Sequence, residues 1–169
     1  MSNPILKVED PGIFTTIQDC GRYGFQRIGV PVSGALDQFA FRVANVLVGN
    51  DECAATLEMA VIGPTITFLH QAWISITGGD LSPALDGTPI PIWESTYVPE
   101  GSRLTFNGMK DGMRAYLAVA GGIDVPMVMG SRSTYLPGGF GGLEGRAVKQ
   151  GDKIGVLPSH SKKVLVRRK

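Results

Sequence analysis

Glycine breaks this chain so often that a long regular element has almost nowhere to form. The 169 residues include 23 glycines and 11 prolines, a glycine share about twice the usual ~7%. Such punctuation implies many tight turns joining short segments, and therefore many short strands. No Gly-X-Y period accompanies it, which excludes a collagen-like chain. Hydrophobic residues make up 43% and charged residues 18%, a globular rather than disordered balance. The length suits one domain, or one compact lobe of something larger, with a core of its own.

One stretch escapes the punctuation. From Leu36, apolar residues recur at Phe39, Ala40, Val43, Ala44 and Leu47, which is one face at helical period. Ser33 suits the N-cap, Asp37 the positive N-terminal end and Gly49 the C-terminal cap. Asn50 then reads as the cap of a short turn beginning at Asp51. Elsewhere the period is two, in Thr65–Phe68, Ile74–Thr77 and Arg103–Asn107. Each predicts a half-buried strand. Ile5–Val8 reads as an opening strand, ended by Asp10-Pro11-Gly12. Asp86-Gly87 is a two-residue hairpin signal. Tyr116–Ala120 is continuously apolar and predicts a central strand, and Lys153–Leu157 a last one. Residues 18–34, with glycines at 21, 24, 29 and 34, read as an ordered loop. The fold class is mainly β with one principal α-helix, and short strands with frequent turns favour a closed or nearly closed barrel.

Several function classes drop out. Without the five positive charges of residues 162–169 the formal balance of +1 becomes −4. The body therefore lacks the basic stripe that nucleic acid requires, and the tail reads as a solvated end or a truncation point. No apolar run approaches the ~18 residues of a membrane span, and the start lacks a secretory signal. Cys20 and Cys53 lie 33 positions apart with no CxxC pair, which reads as two free thiols in a reducing cytoplasm. Two distant histidines, His70 and His160, offer no metal site or His-dependent triad. The glycine run Pro137–Arg146 completes neither GxxxxGK[ST] nor GxGxxG, so any nucleotide belongs on a partner.

The polar groups gather in two loops. Gln18-Asp19-Cys20-Gly21-Arg22-Tyr23-Gly24 packs an amide, a carboxylate and a guanidinium between glycines that permit convergence on one point. Arg22 offers a planar fork for a carboxylate; alternatively Asp19 and Arg22 pair with each other and pin the loop. Ser33 and Asp37 lead into the helix, whose N–H groups suit an anion; alternatively they act only as cap and dipole partner. Gly130-Ser131-Arg132-Ser133-Thr134 reads as a binding loop rather than a nucleophile, because neither histidine is near to serve as base. Glu58 and Asp80, lone carboxylates beside apolar strands, read as satisfied turn or rim residues rather than general bases.

Taken in order, the segments PG-x-x-TTIQD-x-GR-x-G, GVPVSGALD, AN-x-LVGN, LE with GP, ITGGD, DG, YLAVAGGI, GSRST and GR-x-x-x-x-GD resemble one family. It is the carboxyltransferase-like family containing the C subunit of 5-oxoprolinase, allophanate hydrolase subunit 2, the matching part of urea carboxylase and the antagonist of a sporulation kinase inhibitor. The resemblance spans roughly residues 4–157. It implies a cyclophilin-like β-barrel lobe over residues 1–158, followed by the basic tail 159–169. Members usually continue for about as many residues again, so it also implies a C-terminal lobe that completes the site. The activity implied is ATP-dependent opening of 5-oxoproline, a lactam, to glutamate, with a KipI-like partner, the B subunit of 5-oxoprolinase, that binds ATP. Arg22 and Arg132 would then hold a carboxylate or acyl phosphate, while Gln18, Asp19, Ser33, Asp37, Ser133 and Thr134 complete the substrate-binding face. Carboxyl transfer from carboxybiotin on a carrier domain to urea is the second activity implied. A non-catalytic partner of a KipI-like kinase inhibitor is the third. No cofactor or metal is expected on this chain itself.

Overall fold

The computed structural model describes residues 2–158; the basic tail 159–169 lies outside them. Eleven strands and one α-helix follow the chain as β1 Pro4–Asp10, β2 Phe14–Gln18, α1 Gln38–Leu47, β3 Thr56–Ala60, β4 Thr65–Phe68, β5 Ala72–Asp80, β6 Pro83–Leu85, β7 Thr88–Pro89, β8 Ser95–Val98, β9 Arg103–Phe106, β10 Asp111–Val119 and β11 Lys153–Gly155. The lobe is mainly β with one principal helix, as the periodicity predicts. Its strands form two antiparallel sheets, ordered β11-β1-β4-β9-β6-β7 and β2-β3-β10-β5-β8, instead of one closed barrel. The Asp86-Gly87 hairpin is present, with Leu85 opposite Thr88, and Tyr116–Val119 lies in the middle strand of its sheet. Strands β2, β3 and β8 go beyond the sequence-based expectations.

The core lies between the sheets. Leu6, Val8, Ile66 and Phe68 meet Ile17, Leu57, Met59, Ile74, Ile76 and Leu117 there, all buried. Alternation along β2, β3, β10 and β5 sends the other set of side chains to the opposite face. On that face Thr16, Glu58, Tyr116 and Thr77 stand in register across four strands. Helix α1 covers the half above β10 and β5, where Ala40, Phe41, Ala44 and Val48 pack on Tyr116 and Ala118. Thr77 Oγ1 and Ser75 Oγ donate to the Ala40 and Ala44 carbonyls at 2.7 and 2.5 Å, which locks the helix to the sheet.

Three expectations about this region are corrected. The cap of α1 is Asp37, not Ser33: its Oδ1 accepts from the Phe39 and Ala40 N–H groups at 3.1 and 3.0 Å. Ser33 instead takes a left-handed conformation, φ 57°, and the Leu36 N–H is captured by Glu58 Oε2 at 2.8 Å, so the helix starts four residues later. The buried face is consequently rotated, with Leu36 and Phe39 72% and 73% exposed. Gly49, at φ 74°, ends the helix as expected. Asn50 caps nothing. Asp51 makes that turn by accepting from the Cys53 N–H at 2.9 Å, while Asn50 bridges Asn45 Oδ1, the Val119 carbonyl and the Gly121 N–H.

The expectation of free thiols is also overturned. Cys20 and Cys53 form a disulfide. The reason lies in pairing distant in sequence: Gln18 faces Thr56 across β2 and β3, and continuing that antiparallel register places Cys20 beside the turn that carries Cys53.

Candidate functional site

The two polar loops singled out in the sequence meet at the C-terminal end of β2. As an edge strand, β2 has free backbone groups, and a later segment satisfies them. Thr134 N–H and Oγ1 both donate to the Ile17 carbonyl, at 2.9 and 3.0 Å, and the Val148 N–H donates to the Thr15 carbonyl at 2.9 Å. The 131–134 segment is thereby laid along β2, next to Asp19.

Asp19 is the centre of the junction. Its Oδ1 accepts from Ser131 Oγ at 2.6 Å, Ser133 Oγ at 2.5 Å and the Gly21 N–H at 2.8 Å. Its Oδ2 accepts from the Arg132 N–H at 2.6 Å. In return the Asp19 N–H donates to Ser133 Oγ at 2.9 Å, and the Ser133 N–H to Ser131 Oγ at 3.0 Å. Asp19, Ser131 and Ser133 are all buried. A buried carboxylate is tolerable because its charge is met by this many donors. Neither serine hydroxyl reaches the surface, because both are spent on Asp19.

Arg22 does not bond to Asp19. Its Nη2 donates to the Ser133 carbonyl at 2.5 Å and its Nε to the Val128 carbonyl at 3.5 Å, and the guanidinium lies 5.0 Å from the Phe140 ring centre. At 1% exposure, its burial lowers the guanidinium pKa, offset in part by the Asp19 charge. Nη1 of Arg22 and Oε1 of Gln18 are buried without a partner among the described residues. Gln18 Nε2 donates to Thr16 Oγ1 and to the Thr134 carbonyl, at 3.0 and 3.4 Å.

Gln18, Asp19, Arg22, Arg132, Ser133 and Thr134 therefore converge on one knot. Ser33 lies on the adjoining loop, which is tied to the knot by the Arg22 N–H to Val32 carbonyl and Ala35 N–H to Asp19 carbonyl bonds, at 2.7 and 2.9 Å. Asp37 sits apart, at the helix cap, in a second cluster that the sequence did not reveal. There the Asp37 N–H donates to Tyr116 Oη, Tyr116 Oη donates to Glu58 Oε2, and Arg114 Nη1 donates to Glu58 Oε1, each at 2.8 Å. Burial, ahead of the nearby Glu58 charge, pushes the Tyr116 phenol well above its ordinary pKa. Glu58 is thus a satisfied carboxylate, but of a buried network rather than a turn. The signal that could have found it was a charged residue with a tyrosine at matching positions of two apolar strands.

The GR-x-x-x-x-GD motif resolves into a clamp. Arg146 Nη1 and Nη2 donate to Asp152 Oδ2 and Oδ1 at 2.7 and 3.0 Å, a fork-to-fork pair that closes the loop before β11.

Among the described residues no cluster of three or more metal-ligating side chains occurs. None of their helices is long and apolar enough to cross a membrane.

Comparison with known proteins gives this architecture a family. Over 152 residues the chain is 47% identical to the C subunit of 5-oxoprolinase from Escherichia coli K12, covering 89% of this chain and 48% of that protein. It is 45% identical to the urea amidolyase of Saccharomyces cerevisiae over 156 residues, 92% of this chain and 8% of that one. The crystal structure of the K. lactis urea amidolyase superposes with a TM-score of 0.89 and 38% identity, covering 94% of this chain and 10% of the other. The chain thus spans about half the length of the bacterial relative and a small part of the fungal ones. The family model for carboxyltransferase domain, subdomain A and B, matches residues 28–168, and to that family this chain belongs.

Proposed function

We propose that this chain is the N-terminal lobe of a protein like the C subunit of 5-oxoprolinase, which cleaves 5-oxoproline to glutamate at the expense of ATP. In this reading a KipI-like partner, equivalent to the B subunit, binds the ATP, and a C-terminal lobe completes the site. The observation that carries it is the similarity to the bacterial C subunit along nearly the whole lobe. Within the site Asp19, Ser131 and Ser133 are positioning residues that set Arg132. Gln18 and Arg22 stand behind them, buried in the same knot, as supports of the binding face. Thr134 holds the loop on β2, Ser33 lies on the adjoining loop, and Asp37 acts at a distance by capping α1.

The test is ATP hydrolysis by this lobe reconstituted with a C-terminal lobe and a KipI-like partner. Stimulation by 5-oxoproline, with glutamate formed, is expected. The similarity to urea amidolyases favours a second reading, carboxyl transfer from carboxybiotin on a carrier domain to urea. Stimulation by urea and none by 5-oxoproline would overturn the first in favour of the second.

A further inference from the structure

Beside the knot lies a cavity of about 410 Å³, within the size range of small-molecule sites. Its wall includes Asn50, Asp51, Cys53, Gly121, Gly122 and Arg132. The two charges in that wall are opposite, and each is held from behind. The Arg132 backbone is fixed by Asp19 Oδ2 and its Nε by the Val125 carbonyl, at 2.6 and 3.0 Å. No described residue hydrogen-bonds its Nη1 or Nη2, and Asp124, which feels its charge, makes no ion pair with it. Asp51 Oδ1 is taken by the Cys53 N–H at 2.9 Å, which leaves Oδ2 as an acceptor. Asn50 is consumed by Asn45, Val119 and Gly121, so it builds the wall and does not bind. The Cys20–Cys53 disulfide ties the Asp51 turn to the residue after Asp19, which sets both charges on one frame.

We propose that this cavity binds a small molecule carrying a carboxylate next to an N–H donor, the carboxylate on Arg132 and the N–H on Asp51. A guanidinium edge matches a carboxylate with two parallel bonds. A phosphate dianion would meet the Asp51 charge, and a neutral amide such as urea would leave Arg132 unpaired. 5-Oxoproline carries both groups; naming it rests on the function proposed above, whereas the carboxylate and N–H requirement rests on the cavity.

The test is titration of the full ¹⁵N-labelled chain, followed at the Gly121 and Gly122 amides and the Arg132 Nε–H. The ligands are 5-oxoproline, its lactone counterpart with ring oxygen in place of N–H, pyrrolidinone without the carboxylate, and urea. 5-Oxoproline should shift these signals and the lactone should bind about tenfold more weakly. Pyrrolidinone and urea should leave them unmoved. Arg132→Gln should weaken 5-oxoproline by about 10- to 100-fold, with amide signals elsewhere unchanged as the check on folding. Asp51→Asn, which keeps an acceptor for the Cys53 N–H, should bring 5-oxoproline and the lactone to equal affinity. No shift at these residues, pyrrolidinone binding as tightly as 5-oxoproline, or an Arg132→Gln variant that binds normally would each overturn the site. A reconstituted complex that turns over urea alone, with 5-oxoproline still bound here, overturns the function and leaves the site standing. Turnover of 5-oxoproline by Arg132→Gln at unchanged KM overturns the site and leaves the function.

Discussion

Asp19 and Ser133 bond to each other twice: Ser133 Oγ donates to the Asp19 carboxylate at 2.5 Å and accepts from the Asp19 N–H at 2.9 Å. The pair joins residues 114 positions apart, with the carboxylate's charge spread over two hydroxyls and two backbone N–H groups. Removing the hydroxyl in Ser133→Ala leaves a buried N–H and a buried carboxylate oxygen each short of a partner. A loss of about 1–3 kcal/mol is expected. Asp19→Asn should cost more, because an amide turns at least one donor toward these donors. Denaturant unfolding of the three proteins checks the order.

The disulfide between Cys20 and Cys53 closes a loop across a separation of 33 residues. Loop-closure entropy in the unfolded chain makes it worth about 3–4 kcal/mol. Unfolding with and without reductant, and of Cys20→Ser/Cys53→Ser under both conditions, measures it. Reductant should lower the midpoint of the wild type and leave the double variant unmoved.

Gly141 adopts φ 72°, and a Cβ there would collide with the backbone carbonyl oxygen of Ser133 and come within 2.8 Å of Arg22 Nη2. Gly141→Ala should therefore combine left-handed strain with displacement of the Ser133 carbonyl, the acceptor of Arg22 Nη2, at least about 2 kcal/mol in all. The same measurement in an Arg22→Met background should show much the same penalty, because the Ser133 carbonyl that meets the new methyl group is still in place.

Tyr116 gives the lobe an alkaline limit. Its folded-state pKa is raised by burial first, with Glu58 adding to the effect, so the folded protein holds the phenol proton where the unfolded chain releases it. This contribution is complete below the unfolded value of about 10 and falls as pH rises beyond it. Unfolding midpoints between about pH 8 and 11 should decline at the upper end. Tyr116→Phe should be less stable at neutral pH by about 1–3 kcal/mol, with a shallower alkaline decline.

Much of the site was legible because it is local. Glycines around Gln18, Asp19 and Arg22 announce a turn in which polar side chains converge, and Gly130–Thr134 announces a second. That Asp19 reaches over to Ser131, Ser133 and the Arg132 N–H, and that Arg22 turns to the Ser133 carbonyl, depends on the 131–134 segment lying along the edge of β2. No spacing rule covers a contact more than a hundred residues away. The cavity wall was illegible for the same reason, since Asp51, Gly121 and Arg132 come from three separate turns.

What the sequence determined by itself is the alphabet of elements: one helix, short alternating strands, the Asp86-Gly87 hairpin and the ordered loop of residues 18–34. Each follows from side-chain period and backbone freedom within a few residues. Only the tertiary structure decided that the strands divide into two sheets, that Asp37 caps the helix, and that Cys20 and Cys53 are bonded. Those outcomes depend on which buried donors and acceptors find each other. When Glu58 takes the Leu36 N–H and β2 pairs with β3, the local preferences of Ser33 and of two isolated cysteines give way to the stronger demand of the packed interior.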